Sequence, residues 1–206
     1  MYLAISGNIG SGKTTLTQNL ALHYHWTPRY ESVDHNPYLD DYYRDIPRWS
    51  FCLEVYFLKE RFKDLLVVAN SPNTIIQDRS IFEGVHIFTA CNHDAGNLSD
   101  RDYQTYLDLF EQMMSVVKLP DLMIYLRADI PYLVHNIQLR GRDCEKQIPI
   151  DYLTRLNQRY EDYILNHYPG RLLIIDKAEY DFANPADLLR IYDKIDAILG
   201  QHTLPL

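Results

Sequence analysis

The residues Gly7-Asn8-Ile9-Gly10-Ser11-Gly12-Lys13-Thr14-Thr15 constrain this chain more than any others. They follow the apolar run Tyr2-Leu3-Ala4-Ile5 and precede Leu16, Leu20 and Leu22, which read as a helical spacing. Strand, glycine-rich turn and helix is the setting in which G-x-x-x-x-G-K-[ST] becomes a phosphate-binding loop. Glycines let successive backbone N–H groups curl round a phosphate, and a helix N-terminus adds partial positive charge. On this reading the segment from Gly7 to Thr15 cradles a nucleoside triphosphate. Lys13 then reaches the β- and γ-phosphates, and the Thr14 hydroxyl binds Mg2+.

What receives the phosphate is bounded first by composition. A chain of 206 residues with 47% apolar content has ample core for one domain, 1–206. The net charge of -8 argues against a nucleic-acid surface, so positive charge that matters has to be local. Cys52, Cys91 and Cys144 are widely spaced, which indicates neither a disulfide framework nor a zinc site, and a reducing cytoplasm fits. No run approaches the roughly 18 apolar residues of a membrane span, and the first residues read as a core strand, not a signal peptide.

Along the chain, short apolar runs alternate with helical stretches. Pro28-Arg29-Tyr30-Glu31 reads as a brief strand ending on an acid, and Thr74-Ile75-Ile76-Gln77-Asp78 as a third strand. Leu122–Leu126 and Leu172–Asp176 read as the fourth and fifth. None alternates polar with apolar, as expected of parallel strands covered on both faces. The stripe Phe51, Val55, Leu58, Phe62, Leu65 and Leu66 predicts a helix over 50–68, and helices are expected near 102–118 and 151–167. Right-handed βαβ units and an α/β fold follow.

In such a sheet, ligands sit beyond the carboxyl ends of the strands. The phosphate loop ends the first strand, Glu31 the second, and Asp78-Arg79-Ser80 the third. A carboxylate beside an acceptor hydroxyl can orient it and take its proton, which makes Glu31 the candidate general base. Arg140-Gly141-Arg142, with Asn136 a turn earlier, is a basic cluster with a hinge-permitting glycine. Arginines there can neutralise charge spreading over a transferred phosphoryl group, so the segment 136–150 reads as a lid.

Taken together, the glycine loop, Tyr30-Glu31, Arg48-Trp49-Ser50-Phe51, Asp78-Arg79-Ser80 and Arg140-Gly141-Arg142 through Ile148-Pro149-Ile150-Asp151-Tyr152-Leu153 resemble the deoxynucleoside kinase family. The likeness is greatest to its bacterial deoxyadenosine and deoxyguanosine kinases and runs in order from residue 2 to about 176. It implies a P-loop kinase-like three-layer fold with a five-stranded parallel sheet in the order 2-3-1-4-5. It also implies Mg-ATP as donor and the 5'-hydroxyl of a deoxynucleoside as acceptor. Carried across by position, Arg79 holds Glu31 and the incoming phosphate, and Asp78 supports Mg2+ through water. Tyr43 and Glu145 match residues that bind the sugar 3'-hydroxyl, Phe88 matches the ring that stacks on the base, and Arg140 and Arg142 match lid arginines. Asp181-Phe182 resembles the turn that packs on the donor adenine. The family further implies a homodimer built on the helices at 50–68 and 102–118, and feedback binding of a deoxynucleoside triphosphate.

Departures from the family pattern bear on the substrate. The helix position that usually carries a base-reading Gln is Glu54, with Arg61 seven residues later, and Gly84 stands where relatives acting on adenine or cytosine commonly have Asp. An ionised Glu only accepts, which suits the adjacent N1-H and N2-H2 donors of guanine; adenine presents a donor beside an acceptor, which suits Gln. Arg61 only donates and matches O6 and N7 of guanine, and the missing Asp at 84 leaves it without a competing acceptor. The expected acceptor is therefore a purine deoxynucleoside, deoxyguanosine first and deoxyadenosine or a broader set of deoxynucleosides as the alternative. Asn136, where relatives often have Arg, suggests weaker or less selective donor binding. A nucleoside monophosphate kinase shares the fold, but its acceptor phosphate would meet Glu31 unfavourably. A nucleotide-dependent switch leaves Glu31 and Arg79 without a purpose, and no N-K-x-D motif is present.

Overall fold

A computed structural model describes residues 1–31, 36–142 and 148–200. Its centre is β1 (Tyr2–Gly7), buried along its whole length. β3 (Ile75–Asp78) and β4 (Leu122–Arg127) pair with it in parallel, so that Leu3 lies opposite both Ile76 and Leu122. β2 (Thr27–Arg29) and β5 (Leu172–Asp176) complete a five-stranded parallel sheet in the order β2-β3-β1-β4-β5. That is the order expected from the family resemblance.

Alternation along β1 builds two cores. Leu3 and Ile5 pack with Leu16 and Leu20 of α1 (Lys13–Tyr24) and with Ile191 and Ile195 of α9 (Pro185–Leu199). Tyr2 and Ala4 face the other way. There Leu58 of α3 (Ile46–Ala69), Tyr106 of α6 (Asp100–Met114) and Leu156 and Tyr160 of α8 (Ile150–Asp162) close the opposite face. Each fully buried Leu or Ile contributes about 1.5 to 3 kcal/mol, which is why strands without polar alternation are stable here. Leu22 departs from the expected helix face: at i+6 from Leu16 it turns to solvent and is 77% exposed.

Helix boundaries follow capping more closely than the apolar stripes did. α3 begins at Ile46, because the Asp45 side chain accepts from Arg48 N and Pro47 fits the first turn. α6 begins at Asp100, capped by Ser99, and ends at Met114, short of the expected 118. Beyond that end Val116 is 63% exposed, so no burial carries the helix further. The remaining helices are α2 (Leu39–Arg44), α4 (Ile81–Glu83), α5 (Ala90–Asp94) and α7 (Ile130–Arg140), with a π-helical segment, Gly84–Thr89, between α4 and α5. A second π-helical turn, Tyr163–His167, extends α8. No helix among the described residues is long and apolar enough to cross a membrane.

Candidate active site

The glycine loop leaves β1 at its carboxyl end and runs into α1. Gly10 sits at φ 83° and Gly12 at φ 93°, and a Cβ on Gly10 would lie 2.7 Å from the Leu133 carbonyl oxygen. Only glycine permits both the turn and this close approach to α7. The Lys13 ammonium donates to the carbonyls of Gly7 at 2.8 Å and Asn8 at 2.9 Å. Burial and the nearby Arg79 charge lower its pKa to about 8, against the opposing pull of Asp78, Glu83 and Glu31. Asn136 on α7 donates to Gly10 O at 2.8 Å, and Asn8 donates to Leu153 O on α8 at 3.0 Å. The loop is thus braced from two sides.

At the end of β3, Asp78 Oδ2 accepts from the Thr14 hydroxyl at 2.6 Å. Burial raises the Asp78 pKa despite the charge of Lys13. A hydroxyl and a carboxylate side by side are hard oxygen donors, which is the set Mg2+ takes when it keeps most of its water and adds nucleotide phosphate. Arg79 follows at φ 72°, a left-handed conformation costing a non-glycine residue about 1 to 2 kcal/mol. Its contacts hold it there: Nε donates to Glu31 Oε2 at 2.9 Å, Nη1 donates to the Tyr160 hydroxyl at 2.9 Å, and Cζ lies 4.6 Å from the Phe88 ring centroid.

Glu31 lies two residues past β2, which is shorter than the sequence reading had it. Its second oxygen, Oε1, accepts from Arg61 Nη2 at 2.5 Å. Burial alone would raise this carboxyl, but Arg79 and Arg61 outweigh it and hold the pKa at about 2. Arg61 is therefore not without an acceptor, as the missing Asp at position 84 had suggested; Glu31 fills that place. Gly84 does make room for it, since a Cβ there would lie 2.7 Å from Arg61 Nη1. Nε and Nη1 of Arg61 are buried with no hydrogen-bond partner.

Glu54 and Arg61 share the inner face of α3, at 3% and 7% exposure. Glu54 Oε2 accepts from the Thr89 hydroxyl at 3.0 Å and Oε1 from Asn92 Nδ2 at 2.9 Å. Burial lifts its pKa to about 7, opposed by the charge of Arg61 and by these two hydrogen bonds.

One cavity of about 560 Å³ joins these groups. That is large enough for a nucleoside with phosphates. At one end lie the glycine loop, Asp181 and Phe182; at the other, Tyr43, Glu54, Arg61 and Phe88; Glu31 and Arg79 lie on its wall as well. Arg140 and Arg142 reach it from the end of α7, so together with Lys13, Arg61, Arg79 and Lys177 they make a local basic site on an acidic chain. Glu145 lies outside the described residues.

Three features escaped the sequence reading. Glu83 is 1% exposed and joins three elements: it accepts from Gly7 N at 3.2 Å, Ser80 N at 2.7 Å and the Tyr160 hydroxyl at 2.7 Å. The pattern Ser80-x-x-Glu83 is a capping-box signal that could have marked it. Thr89 and Asn92, which hold Glu54, carry no local signal. Lys177, buried beside the cavity with Nζ 3.2 Å from the Phe182 ring centroid, reads in sequence as an ordinary surface lysine.

The arrangement has known relatives. Residues 3–199 match the family described as deoxynucleoside kinase. The chain is 37% identical over 200 residues to the deoxyadenosine/deoxycytidine kinase of Bacillus subtilis, covering 96% of this chain and 92% of that one. It is 33% identical over 195 residues to the deoxyguanosine kinase of the same organism, covering 92% and 93%. The deoxyadenosine kinase of M. mycoides, solved with bound dATP, superposes with a TM-score of 0.84 at 32% identity, covering 95% of this chain and 100% of that one. A phosphate loop, a clamped acid beyond the second strand and a match over nearly the whole length lead to one assignment. The chain belongs to the deoxynucleoside kinase family and is an ATP-dependent kinase.

Proposed function

We propose that the acceptor is a purine deoxynucleoside, with deoxyguanosine preferred over deoxyadenosine, and that the γ-phosphate of Mg-ATP passes to its 5'-hydroxyl. The observation that carries the base preference is Glu54. Its carboxylate is buried against the cavity, and each oxygen already accepts one hydrogen bond from behind, from Thr89 and from Asn92. An ionised carboxylate held in this way offers two acceptors forward, which complements N1-H and N2-H2 of guanine. The relatives include kinases named for deoxyadenosine, for deoxyadenosine and deoxycytidine, and for deoxyguanosine, so the base preference rests on Glu54 and not on them.

The remaining roles follow from position. Lys13 and the backbone N–H groups from Gly7 to Thr15 hold the donor phosphates, and Asp181 and Phe182 flank the donor base. Thr14 and Asp78 would hold Mg2+, which supplies charge neutralisation between the phosphates. Glu31, ionised at neutral pH, orients the 5'-hydroxyl and receives its proton; with a loose transition state, orientation contributes more than basicity. Arg79 fixes Glu31 and, with Arg140 and Arg142, faces the charge that develops on the transferred group. Tyr43 and Glu145 bind the sugar, Phe88 stacks on the base, and Arg61, which lines the same cavity, donates to it.

The test compares kcat/KM for deoxyguanosine and deoxyadenosine in the wild type and in Glu54→Gln, at a pH where Glu54 is ionised. The wild type should prefer deoxyguanosine, and the substitution should move the ratio toward deoxyadenosine by about five- to 150-fold, the effect of about 1 to 3 kcal/mol at a mismatched buried polar group. A wild type that prefers deoxyadenosine, with a ratio unmoved by the substitution, contradicts the base reading.

A further inference from the structure

We infer that Glu54 is a two-state base selector: ionised it takes guanine, protonated it takes adenine, so one active site changes its preferred purine with pH. The inference rests on the proposal that Glu54 reads the base. Its geometry is that of a carboxylate with no cation of its own. Arg61, the cation on the same helix face, places its Nη2 2.5 Å from Glu31, and no ion pair among the described residues includes Glu54. The other titratable groups facing Glu54 are Tyr42 on α2, Cys91 on α5, Tyr106 on α6, Tyr152 on α8 and Glu31. Burial raises the tyrosines and the cysteine, so all stay neutral where Glu54 titrates, at about 7.

The two oxygens of Glu54 are not equivalent. Asn92 Oδ1 accepts from the Tyr42 hydroxyl at 3.1 Å and from Asn97 Nδ2 at 3.3 Å. That fixes the amide so that Nδ2 points at Glu54 and can only donate. Oε1 therefore remains an acceptor in both states. Oε2 faces a Thr89 hydroxyl, which, unlike the amide, can turn its own proton aside, so the proton settles on Oε2, on the side that faces the cavity and not on the side that faces Thr89. Protonated Glu54 then presents an acceptor beside a donor, the pattern of a glutamine amide and the complement of adenine. Loss of the proton returns two acceptors, the complement of guanine. A single proton thus exchanges one hydrogen-bonding pattern for the other without moving an atom of the backbone.

The experiment measures kcat/KM for both purine deoxynucleosides with Mg-ATP between about pH 5.5 and 8.5, a range that brackets the titration of Glu54. Taking the ratio cancels every pH effect the two reactions share. For the wild type, the guanine-to-adenine ratio should rise roughly tenfold or more with pH along a single titration curve. In Glu54→Gln the ratio should be flat and favour adenine. Thr89→Val removes a donor that stabilises the ionised form, so the midpoint should move to higher pH. A ratio that is flat in the wild type but changed by Glu54→Gln overturns the selector while leaving the base reading intact. A ratio that Glu54→Gln leaves unchanged at every pH overturns both.

Discussion

The Glu31 carboxylate and the Arg79 guanidinium meet at 2.9 Å, joining the chain beyond β2 to the end of β3. Neither residue is held by its own segment alone. Arg79 occupies a left-handed conformation because Glu31, Tyr160 and Phe88 fix its guanidinium, and Glu31 is held because Arg61 takes the other oxygen. Replacing Glu31 with Ala should lower kcat by about two to four orders of magnitude, the usual contribution of a positioned proton acceptor. Steady-state turnover on a folded variant measures this, and near-normal kcat would remove Glu31 from the chemistry.

The same pair makes a pH-dependent contribution to stability. The Glu31 carboxyl is held at about 2 in the folded state, against an ordinary value of 4.5. A depressed carboxyl stabilises the fold fully above its unfolded pKa, and that stability is lost as pH falls toward the folded value. The urea midpoint of the wild type should therefore fall relative to that of Glu31→Gln as pH drops from about 5 toward 3. A gap that stays constant over this window contradicts the ion pair.

Tyr160 accepts from Arg79 and donates to Glu83, and Glu83 in turn accepts from Gly7 N. Tyr160→Phe leaves both partners short of a hydrogen bond in a buried place. A stability loss of about 1 to 3 kcal/mol is expected. Because this network joins Arg79 to the phosphate loop, kcat should fall as well; thermal unfolding and turnover measured on one preparation separate the two effects.

Asn136 stands where an arginine was expected in this family, and it donates to Gly10 O at 2.8 Å. Asn136→Ala should weaken ATP binding by about 1 kcal/mol, or roughly fivefold in KM for ATP, with a smaller change in KM for the nucleoside. Equal changes in both constants would point instead to a general disturbance of α7.

The sheet was legible in the sequence because strands buried on both faces need continuous apolar runs, and β1, β3, β4 and β5 have them. β2 was overdrawn: the strand ends at Arg29, so Glu31 lies in the segment beyond it and not on it. The phosphate loop was legible because glycine spacing and Lys13 specify it locally. Glu54 and Arg61 were legible as a pair on one helix face, but not the partner Arg61 takes, because Glu31 is 30 residues away and meets it only through the sheet. Thr89 and Asn92 were hidden for the same reason, and so were the bonds from Gly7 and Tyr160 to Glu83, although its capping box with Ser80 is a local signal. α9 carries its signals, with Asn184 accepting from Ala186 N and Gly200 at its end, but no chemistry drew the reading there.

The central claim is that the triphosphate cradle and Glu31 share one cavity that receives an unphosphorylated acceptor. ADP release with Mg-ATP, measured against each of the four deoxynucleosides and against dGMP, tests this most directly. The account predicts turnover with deoxyguanosine and deoxyadenosine and little with dGMP, whose phosphate would meet Glu31. Turnover with dGMP and none with any deoxynucleoside would contradict it.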